Sequence, residues 1–114
     1  MDAKRGKLLV FSNPVDGQED EYNNWYDNQH LADVVAVEGV ISAQRYEAVD
    51  SPLAPVGTYR YLAIYEIDGD LAKIRAEMTK RVQDGRMPVS GSIDGAGTTS
   101  SVWAPRGPEV VGPA

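Results

Sequence analysis

Residues 19–37 read EDEYNNWYDNQHLADVVAV, and the way this stretch folds decides how the rest of the chain is arranged. It opens with Glu19, Asp20 and Glu21, which suit a helix N-terminus, where carboxylates meet unpaired N–H groups and the positive end of the dipole. Gly39 follows the apolar pattern and suits the left-handed position that ends a helix. Steps of four from Tyr22 pass through Tyr26, His30 and Val34, with Val37 one turn further. The spacing predicts one inward stripe on one helix, and the chain's single histidine lies in it. Asp27 and Asp33 stand three residues to either side of His30, within reach of the imidazole on the same helix.

On either side of this helix the pattern alternates between strands and helices. Residues 7–11 (KLLVF) form a short apolar run closed by Ser12-Asn13-Pro14, a buried strand and its turn. Residues 40–49 (VISAQRYEAV) predict a second strand, and 50–57 (DSPLAPVG) a loop. Residues 59–67 (YRYLAIYEI) are the clearest strand, β-branched and aromatic throughout. Asp68-Gly69-Asp70 reads as a turn and cap before a second helix over 71–83, whose stripe is Leu71, Ile74, Met78 and Val82. The glycine-rich segment 85–97 has the length of a flap over a pocket mouth, and 98–103 (TTSSVW) predicts a last strand.

The order β-α-β-β-α-β predicts an α+β, ferredoxin-like fold, with a four-stranded antiparallel sheet carrying two helices on one face. One such domain fills residues 1–104, and 105–114 make an extended Pro/Gly-rich tail. The 59–67 strand is apolar on both faces through its middle, yet two helices cover only one. We expect a homodimer through the other, with Tyr59, Tyr61 and Tyr65 at the interface, because a twofold pairing of sheets is self-complementary.

Composition narrows the function. The formal charge of −6 argues against nucleic acid and anionic membranes as partners. No apolar run approaches a membrane span, and the start is too short for a signal peptide, so a cytoplasmic location is expected. Without cysteine and with one histidine, neither a thiolate nucleophile nor a multi-histidine metal site is available, and no metal or other cofactor is expected. His30 is the candidate acid/base and Asp33 the group that would orient it and raise its basicity. Trp25, Tyr26 and Tyr65 are candidate walls and donors for a substrate, and Asn13 could hold a substrate oxygen. Arg45 reads as a surface residue paired with Glu47 or Glu66.

The helix with Trp25, Tyr26, His30, Leu31 and Asp33, followed by Gly39-Val40-Ile41-Ser42-Ala43-Gln44-Arg45-Tyr46, resembles the EthD-like branch of the dimeric α+β barrel superfamily. The resemblance covers the first half of the chain and implies two sheets joined across a twofold, with a pocket between sheet and helices in each subunit. Together with the pocket chemistry it implies a cofactor-independent enzyme of lyase, cyclase, dehydratase or decarboxylase type. Its substrate would be a hydrophobic, aromatic or polyketide-like carbonyl compound. The alternatives on the same fold are a small-ligand binding or accessory protein and a cofactor-free or haem-dependent monooxygenase.

Overall fold

The structure is a computed structural model and describes residues 3–114. Strands β1 (Ala3–Ser12), β2 (Val40–Glu47), β3 (Tyr61–Asp70) and β4 (Thr99–Trp103) form one antiparallel sheet in the order β2-β3-β1-β4. The first helical segment runs from Glu19 to Val35, and the second helix covers Leu71–Gln83. This is the expected βαββαβ, ferredoxin-like architecture.

Two strands are longer than their apolar runs. β1 lies between β3 and β4, and its basic N-terminal half pairs with the acidic end of β3. Arg5 bridges Asp68 at 3.2 Å and Lys7 pairs with Glu66, each directly opposite its partner in register. These cross-strand pairs carry β3 straight through Asp68 and Gly69, where the sequence suggested a turn. Asp70 nevertheless caps the following helix, its Oδ1 accepting from the Ala72 and Lys73 amides at 3.0 and 3.2 Å.

The two faces of β3 are the reverse of expectation. Tyr61, Ala63, Tyr65 and Ile67 are all buried beneath the helices, with Ser12 and Val10 opposite Tyr61 and Ala63 on β1. Alternation separates two faces but does not say which one the helices cover, and here the tyrosines take the helix side because partners wait there. Tyr22 and Ser12 share a 2.6 Å hydrogen bond, while Asn23 donates to the Tyr61 hydroxyl and Tyr61 donates to Glu19. Tyr59 lies before the strand and sits against Phe11, with centroids 5.8 Å apart. The open face carries Leu9, Phe11, Leu62 and Ile64, with Tyr46 and Trp103 45% and 58% exposed.

Gly39 takes φ +98° at the entry to β2, and a Cβ there would stand 2.8 Å from Ile74 Cδ1. The backbone conformation requires glycine, and an added Cβ would also force the Ile74 side chain to shift. The 85–97 loop is stitched down rather than free. Met87 is buried, the Val15 amide donates to the Ser92 carbonyl at 2.7 Å, and the Asp94 amide donates to the Asn13 carbonyl at 3.0 Å. Residues 104–114 are exposed and carry no helix or strand. Among the described residues no helix is long and apolar enough to cross a membrane.

Candidate functional site

The first helix is not one continuous α-helix. It is built as α1 (Glu19–Trp25), a π-helical turn (Tyr26–His30) and α2 (Leu31–Val35), and so stops two residues short of the apolar pattern's end. A π turn adds one residue to the turn, so positions five apart come to share a face. Trp25 and His30 are five apart, and their rings stack with centroids 4.4 Å apart and planes 23° off parallel. In a regular α-helix they would diverge. The four-residue steps survive alongside. Tyr26 meets His30 edge-on at 5.2 Å and Tyr22 edge-on at 5.4 Å, and Tyr22, Tyr26 and Val34 are buried as the stripe requires.

His30 is half-buried in this aromatic wall. Its Nδ1 is enclosed without a hydrogen-bond partner, and so is Oδ2 of Asp33. Burial draws the imidazole down from its ordinary 6.5 to about 4, with the Asp33 charge acting in the opposite direction but losing to it. His30 is therefore neutral at pH 7. No hydrogen bond joins it to Asp33, and Asp27 has turned away altogether.

Asp27 instead accepts from Arg45 Nη1 at 2.8 Å, while Nη2 donates to Asn23 Oδ1 at 2.9 Å. Arg45 is thus not paired with Glu47 or Glu66 on the surface. Register explains this: Arg45 stands opposite Ala63, whose face is the one beneath the helices. Its guanidinium carbon lies 4.5, 5.0 and 5.2 Å from the ring centroids of Tyr26, Tyr61 and Tyr22. The side chain is only 12% exposed, and Nε is buried without a partner. The residue that the sequence suggested would sit on the surface is part of the cluster.

Tyr65 is buried beneath Tyr26, its hydroxyl also without a partner. Burial and the adjacent Tyr26 hydroxyl drive its phenol far above the usual range, so it remains a donor. The Tyr26 phenol is raised as well, mainly by burial. Trp25 donates its indole N–H to the Pro88 carbonyl at 3.2 Å, which ties the 85–97 loop to the site. Asn13 is engaged elsewhere. Its amide donates to the Thr58 carbonyl at 3.0 Å and accepts from the Arg60 amide at 2.9 Å, fastening the loop before β3 to the end of β1.

His30, Asp33, Trp25, Tyr26 and Tyr65 therefore come together, with Arg45 added and Asn13 set apart. Three surface depressions lie away from this cluster. A groove of about 670 Å³ runs between Gly39, Asp68 and the helix at Ile74 and Glu77. One of about 300 Å³ lies around Asp16, Glu19 and Arg60, and one of about 260 Å³ between Phe11, Tyr46 and Tyr59 on the open sheet face. His30 lines none of the three.

No family model and no curated protein matches the chain. Solved structures do. An EthD family protein from Bacillus halodurans C-125 aligns at TM-score 0.59 and 18% identity, over 93% of this chain and 99% of that one. A candidate monooxygenase from Shewanella loihica PV-4 aligns at TM-score 0.59 and 14% identity, over 89% and 93% of the two chains. HapK from Hahella chejuensis aligns at TM-score 0.55 and 18% identity, over 93% and 99%. The likeness is one of fold, along nearly the whole chain.

Proposed function

We propose that the protein is a small-molecule enzyme that moves a proton next to a carbonyl group on a hydrophobic, aromatic or polyketide-like substrate, without a cofactor. The observation that carries this reading is the His30 site itself. A π turn holds a neutral imidazole against Trp25, with Nδ1 and the neighbouring Asp33 Oδ2 both enclosed and unpartnered. Each buried polar atom left in that state costs about 1–3 kcal/mol, and such groups call for a use beyond packing.

The chemistry follows from the charges. Neutral His30 accepts a proton from the carbon beside the carbonyl, and the electron pair moves onto the carbonyl oxygen. The imidazolium so formed meets the Asp33 carboxylate, an attraction absent while the ring is neutral and therefore one that favours the charged transition state. The enolate carbon then bonds to a second carbonyl carbon of the same substrate, or expels hydroxide from the next carbon, and the imidazolium gives its proton to the alkoxide or hydroxide so formed, completing a cyclase- or lyase-type step. Trp25 and Tyr26 form the flat wall against which the substrate lies, while Asn13 stands apart and holds the loop before β3. In this reading the open sheet face with Leu9, Phe11, Leu62 and Ile64 pairs with a second copy.

The test is turnover of a panel of aromatic carbonyl compounds by wild type and His30→Gln, at matched fold content. Loss of turnover in the variant supports the acid/base role. Ligand binding without turnover in either protein would make this a binding or accessory protein, and substrate loss coupled to oxygen uptake would make it a monooxygenase.

A further inference from the structure

Arg45 is a strange residue to find under a helix. β2 is an edge strand, so a guanidinium there has an easy path to water. It nevertheless folds inward among three tyrosine rings and leaves Nε enclosed and unpartnered. A residue serving only to fasten helix to sheet would need no such orphan donor, since burying a cation costs free energy that complete pairing must offset. Its one carboxylate partner, Asp27, is 55% exposed and so can be displaced by a competing anion.

A second orphan donor stands beside it. Arg45 is opposite Ala63 and Tyr65 is opposite Ala43, which makes Arg45 and Tyr65 diagonal neighbours on the helix side with small residues at the crossing positions. Both groups have a hydrogen to offer: Arg45 carries donors alone, and the buried Tyr65 phenol keeps its proton. Two unpartnered donors side by side ask for an acceptor of negative charge, and a guanidinium edge meets one with short charge-assisted bonds. The Tyr26 ring separates this pair from His30, 4.5 Å from the Arg45 guanidinium carbon on one side and 5.2 Å from the imidazole centroid on the other.

We infer that Arg45 and Tyr65 form a subsite for an anionic oxygen carried by a planar aromatic ligand, which enters between the free edge of β2 and the helix at Asn23 and Asp27. This rests on the reading of the Tyr26 cluster as a ligand site and narrows its substrate to compounds bearing an acidic oxygen. Asp27 is the group that yields to the incoming anion.

The experiment titrates the full chain with 2-naphthoate and with its neutral methyl ester, following the Arg45 Nε–H and Trp25 indole resonances by NMR. Naphthoate should saturate, shift the Arg45 Nε–H signal, and bind about tenfold more tightly than the ester, the scale of one charge-assisted contact. Arg45→Gln should bring the two ligands level, and Arg45→Lys should keep part of the preference. If Arg45→Gln fails to fold, Tyr65→Phe carries the test, because it keeps the ring and removes one donor; it must narrow the preference. Equal affinity for acid and ester, no saturation by the acid, or an undiminished preference in the variants overturns the subsite. His30→Gln separates the two readings. A preserved acid preference with unaffected turnover leaves the subsite standing and removes the acid/base role, whereas lost turnover without any acid preference does the reverse.

Discussion

His30 lies flat against Trp25 with 4.4 Å between ring centroids, although five residues separate them along the helix. The π turn at Tyr26–His30 creates this contact, and the burial to which it contributes keeps the imidazole neutral. One face of the ring is sealed by indole and the edge by Tyr26, so protonation would place a cation in a largely apolar setting.

The first prediction concerns that charge. His30 should titrate near 4, well below the ordinary 6.5, in an NMR pH series. Between pH 6.5 and 4 the unfolded chain binds a proton that the folded chain refuses, so stability falls as pH falls through this window. At pH 4 the loss from this one group reaches at most about 3 kcal/mol. His30→Gln should remove that component, and the difference between wild-type and variant denaturation curves at pH 7 and pH 5 measures it. A ring titrating at 6.5 would show that the wall does not seal.

The second concerns turnover. His30→Gln keeps a hydrogen-bonding side chain but cannot carry the proton, and should cost about 10²–10⁴ in rate with the melting temperature little changed. Asp33→Asn should cost less and should move the pH–rate midpoint downward, since the Asp33 charge is what raises the His30 pKa against burial. Unchanged kcat in His30→Gln leaves His30 a packing residue.

The order of elements was legible because each strand and helix has a distinct period and each ends in recognisable turn chemistry. The helix over 71–83 and its Asp70 cap follow directly from the residues. So does the inward stripe of Tyr22, Tyr26 and Val34. The π turn was not legible, because Tyr22, Tyr26 and His30 keep a four-residue spacing that an unbroken α-helix satisfies equally well; only the five-residue Trp25–His30 pairing could have hinted at it. The direction of β3 was missed for a related reason. Alternation is symmetric, and the decisive fact, that Tyr61 finds Glu19 and Asn23 on the helix, is a tertiary one. Arg45, read as a surface residue, was missed for want of another tertiary fact, its register to Ala63 on the helix side.

The third prediction tests the close approach of helix to sheet. Gly39→Ala must hold a Cβ at positive φ and push it to 2.8 Å from Ile74 Cδ1. The strained backbone and the overpacking together should destabilise the fold by about 2–4 kcal/mol. Urea denaturation checks this, and Gly39→Ala with Ile74→Val should recover part of the loss by removing the clashing methyl group. A neutral effect would mean that the helix rides freely over Gly39.

The fourth turns on which face of β3 a charge is placed. Ala63 is 2% exposed beneath the first helix, whereas Ile64, its neighbour in sequence, points to the open sheet face. Ala63→Lys should therefore unfold the protein, because an unpaired ammonium beside Tyr26 and Tyr65 has no route to water. Ile64→Lys should leave the monomer folded, since its side chain stands where Lys7 and Glu66 already stand. If the open face pairs with a second copy, Ile64→Lys puts two like charges near the twofold and should convert a dimer to monomer at micromolar concentration. Sedimentation velocity with circular dichroism reads both effects at once. Wild type sedimenting as a monomer removes the pairing, and an Ile64→Lys dimer as stable as wild type moves the interface off this face. A folded, dimeric Ala63→Lys would contradict the placement of β3 itself.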